Sequence, residues 1–333
     1  MSSDSSVPTP KQADALQPEI KKAVETPPAE MYPPEEEKSP AQASPSASES
    51  SQSTGLPDVV TFRNVTKSFG HGPEEKVAVQ DVSFVVEDIP GKGELVCIVG
   101  PSGCGKSTVL RMIAGLHPQF PPTKGEALVF GKPIDGAGSD RGVVDQKYSL
   151  LPHLTVVENI AFGLKLRGVP GKERRAHACE WVKKVGLESA EDKYPSELSG
   201  GMQQRVAIAA TLILKPRILL MDEPFGALDP KIRLRMQDLL LQLWKEQEGT
   251  VFFVTHSVEE AVYLGDRVFR MAANPGRLVE VLQVDRPDES LEGMREKPWF
   301  SELTRDLLHR LEKDALASGA LRGSRVVPHL HPR

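Results

Sequence analysis

Cysteine is scarce in this chain of 333 residues: Cys97, Cys104 and Cys179 are all it has. None has metal-ligand spacing, so a disulfide-stapled fold and a cysteine metal centre are excluded, and a reducing compartment fits. All three are expected to be ordinary structural cysteines, with oxidation of Cys104 when its neighbourhood is empty of ligand as the minor alternative. A strong charge of one sign is also missing. The 41 Lys and Arg residues against 46 Asp and Glu leave a net charge of −5, and the basic side chains are spread rather than massed. No nucleic-acid partner is expected on that pattern. Long apolar runs are absent, none approaching the ~20 residues that cross a bilayer, and no signal-peptide core follows Met1. The chain is therefore expected to be soluble by itself. What is present is a hydrophobic fraction of 39%, enough to build one large domain or two small ones.

Residues 1–56 are rich in Pro, Ser, Ala, Glu and Gln and carry the acidic run Glu35-Glu36-Glu37. They contain no Arg, unlike a transit peptide, and too few large apolar side chains to order themselves, so a disordered tail is expected. At Val59 the composition changes. Val59 to Val65 and Val82 to Val86 alternate as strands around a turn at Gly70-His71-Gly72-Pro73, which predicts an antiparallel β element. Val157, Ile160, Leu164, Trp181, Val182 and Val185 have helical spacing, interrupted at Pro170-Gly171. Apolar strands return at Ile218 to Met221 and Val251 to Thr255, separated by a helix around Ile232 to Trp244. This restores the βαβ rhythm of a mostly parallel sheet. After Arg286 the chain reads as charged helix to about Leu316. No internal repeat is present.

The densest chemical signal is Gly100-Pro101-Ser102-Gly103-Cys104-Gly105-Lys106-Ser107-Thr108, a Walker A loop. It follows the buried strand Leu95 to Val99 and precedes a helix with Gly115 placed as its stop. Its glycines let consecutive N–H groups face the phosphates of a nucleoside triphosphate at a helix N-terminus, Lys106 adds a cation, and Ser107 offers a hydroxyl to Mg²⁺. Ile218-Leu219-Leu220-Met221-Asp222-Glu223 is a strand ending in two carboxylates, a Walker B pattern. Asp222 suits Mg²⁺ and Glu223 suits polarising the attacking water. Leu198-Ser199-Gly200-Gly201-Met202-Gln203-Gln204-Arg205 makes a second Ser-capped helix terminus with glycines for close approach.

With that last segment the chain resembles the ATP-binding cassette (ABC) ATPases, over residues 59 to about 286. The resemblance implies an α/β P-loop cassette: a RecA-like mixed sheet core, an antiparallel β subdomain and an α-helical subdomain near 150–210. The cassette would span 57–286, followed at 287–333 by a helical extension and tail. In the family Ser199, Gly200, Gly201 and Gln203 meet the γ-phosphate held by a second cassette, which implies a homodimer sandwiching two ATP molecules. Phe69 stands where the family stacks an aromatic on adenine, a core aromatic being the competing reading. Gln146 matches the glutamine that reaches Mg²⁺ or water, Asp229 the residue coupling two sites, with an ordinary turn former as the alternative. His256 matches the histidine that contacts the γ-phosphate.

Leu150 to Ile160 resembles the permease-facing segment of importer ATPases, and Arg141 to Gln146, Gly226-Ala227-Leu228-Asp229 and Asn274-Pro275-Gly276-Arg277-Leu278-Val279 are similar to the nitrate, sulfonate and taurine importer ATPases in particular. That likeness implies an ATPase bound peripherally at the cytoplasmic face of the inner membrane to integral membrane permease subunits. An extracytoplasmic solute-binding protein completes such a system. The chain departs from the pattern at Asp145, His153 and Ala210, and carries an insertion-like Gln119 to Thr123. The rival reading is a soluble ABC ATPase in regulation, repair or ribosome work.

Overall fold

The computed structural model describes residues 57–317, apart from 90, 92, 147, 148, 246–248, 286, 288 and 289. The expected disordered tail lies outside them.

Two sheets organise the chain. Strands β1 (Val60–Phe69), β2 (Lys76–Val86), β4 (Lys124–Val129) and β5 (Lys132–Pro133) form an antiparallel sheet in the order β2-β1-β4-β5. A second sheet runs β10-β9-β3-β8-β7-β6, with β3 (Glu94–Val99), β6 (Arg141–Val144), β7 (Ile218–Asp222), β8 (Thr250–Val254) and β9 (Arg267–Ala272) parallel, and β10 (Arg277–Gln283) antiparallel at its edge.

The apolar runs are continuous because both faces of this second sheet are covered. Leu95, Cys97, Leu219, Met221, Val251 and Phe253 point into one core, while the alternate residues Val96, Ile98, Ile218, Leu220, Phe252 and Val254 point into another. Helix α1 (Lys106–Ile113) fills the second core between the two sheets through Val109, Leu110, Met112 and Ile113. Phe62 stacks on Phe84 at 4.7 Å between centroids, and Phe84 meets Phe269 edge-on at 5.1 Å, which joins sheet to sheet. As the sequence predicts, α1 stops just before Gly115, whose φ of 71° and contact with the Gly136 backbone leave no room for a side chain.

The first core continues into helices α2 (Val156–Leu166), α3 (Gly171–Lys184) and α4 (Gly200–Leu212). Helix α2 starts on a capping box in which Thr155 and Glu158 exchange side chain to backbone bonds. Helix α5 (Pro230–Lys245) and α6 (Val258–Leu264) cover the same face of the sheet. The charged C-terminal segment is helical, as α7 (Leu291–Arg295) and α8 (Pro298–Ala317), and it supplies Met294, Phe300 and Leu307 to the first core. Arg270 on β9 binds Glu280 at 2.8 Å and also Asp314 of α8, which fixes that helix to the sheet edge. The insertion at 119–123 is packed down: Phe120 is buried, Lys67 Nζ donates to Pro121 O at 2.7 Å and Thr123 N–H to Thr66 O at 2.8 Å.

Candidate nucleotide-binding site

The strand order sets β3, β8 and β7 side by side, so the segments leaving their C-terminal ends emerge together, where α/β sheets bind ligands. Register makes this concrete. Ile98 and Asp222 both pair with Val254, Thr255 N–H donates to Ile98 O at 3.2 Å, and Glu223 N–H donates to Val254 O at 3.0 Å. A cleft of about 370 Å³ opens there, lined by Phe69, the loop residues Ser102, Gly103 and Gly105 to Thr108, Glu223 and His256, with Lys76 to Ala78 and Asn274 to Gly276 closing it.

The glycine loop takes its shape from positive backbone angles, with φ of 76° at Gly103 and 92° at Gly105. A Cβ at Gly105 would lie 2.3 Å from Val79, so only glycine fits between the loop and β2. Gly105 is the N-cap of α1 and offers no side chain to its first N–H groups, which are thereby left for a ligand. Lys106, 4% exposed, donates from Nζ to Gly100 O at 2.9 Å and Pro101 O at 3.2 Å, bracing the loop from within. Cys104 settles the sequence reading. It is fully buried in the second core, with burial pushing its thiol up, so the minor alternative of oxidation fails and a structural cysteine remains.

Ser107 Oγ donates to Asp222 Oδ1 at 2.8 Å. Burial pushes the Asp222 carboxyl above its ordinary value, against the pull of Ser107 and of Arg111, whose Nε is 3.9 Å away; Glu223 and Asp145 add to the rise. A carboxylate raised in this way makes the folded state hold its proton more tightly than the unfolded chain, so stability falls as pH rises from the ordinary 3.8 through the raised value. Above the raised value the cost is fully present. Asp222→Asn is expected to raise the melting temperature of nucleotide-free protein in EDTA at pH 7. The gain should shrink as pH falls toward the carboxylate range, in thermal scans across pH.

Glu223 sits at φ 49°, a strained backbone for a residue with a side chain. Its carboxylate meets two partners: His256 Nε2 is 2.5 Å from Oε1, and Gln146 Nε2 donates to Oε2 at 3.5 Å. Phe69 lies on the cleft wall and belongs to neither core. The departure at Asp145 has a local role, an ion pair with Arg111 at 3.6 Å.

Ser199, Gly200, Gly201, Gln203 and Asp229 do not line this cleft. Ser199 caps α4 by accepting the Met202 N–H at 3.4 Å, and Gly201 packs against Ile232 of α5. Gln203 Nε2 donates to Pro195 O at 2.9 Å, and Asp229 Oδ1 accepts the Ile232 N–H at 3.1 Å. Sequence reasoning missed Lys76 to Ala78 as cleft wall and treated Asn274-Pro275-Gly276 only as a likeness. Gly276 N–H donates to Ala78 O at 3.1 Å and a Cβ there would strike Cys104 O, a packing that only the fold brings about. Among the described residues no cluster of three or more His, Cys, Asp or Glu could hold a metal ion by itself.

A glycine loop on a helix N-terminus, facing two strand-end carboxylates in a split α/β core, defines a P-loop ATP-binding cassette. The ABC transporter family model matches residues 79–226. An uncharacterised ABC transporter ATP-binding protein of Methanocaldococcus jannaschii is 47% identical over 257 residues, 77% of this chain and 92% of that protein. The taurine import ATP-binding protein of Rhizobium johnstonii is 46% identical over 243 residues, 71% of this chain and 90% of that one. A dimeric ATP-binding cassette solved in a post-hydrolysis state with ADP and Pi superposes with a TM-score of 0.59 at 35% identity, covering 68% of this chain and 98% of that one. The chain belongs to the ABC transporter ATP-binding proteins, alongside the taurine, nitrate and aliphatic sulfonate import ATPases, and is an ATPase.

Proposed function

We propose that this chain is the motor of an ABC importer, hydrolysing ATP to move a solute through membrane permease subunits. The observation that carries the reading is the meeting of Lys106, Ser107, Glu223 and His256 at one cleft. Phe69 stacks on adenine, the loop from Gly100 to Thr108 cradles the phosphates, Glu223 orients the attacking water and His256 contacts the γ-phosphate. Ser107 and Asp222, with Gln146, offer only oxygen donors, the preference of a hard cation, and the desolvated Asp222 carboxylate is relieved by positive charge. Mg²⁺ held there neutralises phosphate charge. Asp222→Asn, more stable when empty, should therefore lose metal-dependent hydrolysis.

Two copies complete the site. Ser199, Gly200, Gly201 and Gln203 of one copy face the nucleotide of the other, and Asp229 couples the two centres, which gives a place to residues that the cleft of one chain leaves aside. The cassette is read as 57–286 with its helical subdomain near 150–210, and 287–333 as an extension. Permease docking is assigned to a mixed groove of about 340 Å³ that includes Asp145, lined by Leu150, Leu151, Phe162 and Leu214 together with Arg141 and Asn159. No helix among the described residues is long and apolar enough to cross a membrane. The likeness to import ATP-binding proteins supports peripheral attachment at the cytoplasmic face. The similarity to the taurine import protein supports a solute of the taurine, nitrate or sulfonate class, delivered by an extracytoplasmic binding protein. Affinity purification of Glu223→Gln protein from detergent-solubilised membranes in ATP, followed by mass spectrometry, tests the reading. A co-purifying polytopic permease supports it; recovery with ribosomal or nucleic-acid partners in the soluble fraction overturns it.

A further inference from the structure

The first turn of α6 buries a carboxylate that takes no part in the chemistry above. Glu260 is 7% exposed and does not line the nucleotide cleft. Thr255 Oγ1 donates to its Oε2, and Gln237 Nε2 on α5 donates to its Oε1 at 2.7 Å. Burial pushes the carboxyl up, Thr255, Gln237 and the Arg233 charge pull it down, and Glu223 adds to the rise.

Each partner leads to one half of the Glu223–His256 pair. Thr255 Oγ1 also accepts the Ser257 N–H at 3.0 Å, and Ser257 Oγ accepts the Glu260 N–H at 3.2 Å, so the turn bearing His256 is bound on both sides. On α5, Arg233 lies one turn before Gln237. Its guanidinium donates to Phe225 O at 3.2 Å, Gly226 O at 3.3 Å and Leu228 O at 3.1 Å, gripping the segment that follows Glu223. Glu223, His256, Arg233, Thr255 and Glu260 share one cavity of about 340 Å³. The Arg233 grip on the segment after Glu223 and the Glu260 bonds to Gln237 and Thr255 thus flank the 2.5 Å contact between Glu223 and His256.

We propose that Glu260 is a positioning residue for ATP hydrolysis: by bridging Thr255 and Gln237 it holds the His256 turn against the segment from Glu223 to Asp229. Its hydrogen bonds, rather than any contact with nucleotide, set the geometry of the Glu223–His256 pair. The segment ending in Asp229, which faces the second copy, is thereby tied to the residue facing the γ-phosphate. The proposal rests on the roles given above to Glu223 and His256. Gln237 Oε1 is buried with no hydrogen-bond partner among the described residues. Turning that amide over would offer an acceptor to the new amide of Glu260→Gln, so the conservative variant can keep both links.

The test combines steady-state ATPase kinetics with NMR of histidine-labelled, nucleotide-free protein. Glu260→Ala is expected to lose about 10- to 100-fold in kcat, the scale of a misplaced reacting group, with KM for ATP nearly unchanged and the His256 resonances shifted and broadened. Glu260→Gln is expected to recover most of the rate and the wild-type resonances. Should Glu260→Ala not fold, Gln237→Leu cuts one link and is expected to move kcat and the resonances in the same direction, less far. Wild-type kcat with unmoved His256 resonances in these variants overturns the proposal, as does Glu260→Gln being as damaging as Glu260→Ala. His256→Ala is measured beside them. If it keeps full activity, the role given to His256 fails, while the resonance shifts still decide whether Glu260 positions the turn.

Discussion

Glu223→Gln is expected to stop ATP turnover, with kcat down at least about 10²-fold, the scale of losing one preorganised charged group, while ATP still binds. Gln keeps the volume of the side chain and the same strained backbone entry at φ 49°. Its single amide oxygen keeps an acceptor toward His256, and its new NH2 group faces Gln146, whose amide can turn over to accept from it. What it removes is the negative charge that orients and polarises water. The loop from Gly100 to Thr108, which holds the phosphates in this account, is untouched. Equilibrium nucleotide binding beside a phosphate-release assay checks both halves. Near-normal hydrolysis would refute the role given to the carboxylate, and lost binding would mean that Glu223 supports the cleft instead.

Lys106→Ala is expected to damage binding and catalysis together, with a fall of about 10²–10³ in rate and a clear rise in KM for ATP. The structure adds a second reason beyond the missing cation. Lys106 is buried with Nζ on the Gly100 and Pro101 carbonyls, so its removal also unties the start of the loop whose N–H groups the phosphates need. The contrast between the two variants is diagnostic: one should split kcat from binding and the other should not. Unchanged ATP affinity in Lys106→Ala would count against its phosphate contact.

How much of this was legible in the sequence follows from where the signals lie. Strands β3, β7 and β8 read as unbroken apolar runs because both sheet faces are buried, and the glycine loop and the strand-end acids are local patterns. Strands β4, β5, β6, β9 and β10 went unread. β10 alternates half-buried and exposed residues at a sheet edge, and β6 is four residues long, so neither gives a strong apolar signal. Helix α8 was read as a charged extension, yet Phe300 and Leu307, seven residues apart on one helical face, enter the first core. The cleft wall at Asn274 to Gly276 depends on a pairing between Val79 and Gly276, and no local pattern announces a contact between segments so far apart in the chain. The alternative of an oxidisable Cys104 fails for the same reason. Its place in the loop suggested exposure, whereas the fold turns its side chain into the core. The network around Glu260 was likewise invisible, since a Glu in the first turn of a helix is ordinary until its burial is known.

In the dimer proposed above, one chain carries two half-sites which a second copy completes, the cleft around Lys106 and the Ser199 helix terminus outside it. Sedimentation velocity of Glu223→Gln protein, with and without saturating ATP and Mg²⁺, tests this most directly. A single copy is expected without nucleotide and a doubled mass with it, with loss of the doubling when Ser199→Arg is added to block the helix terminus. A protein that stays single at saturating ATP, or that dimerises equally well with Ser199→Arg, would contradict it.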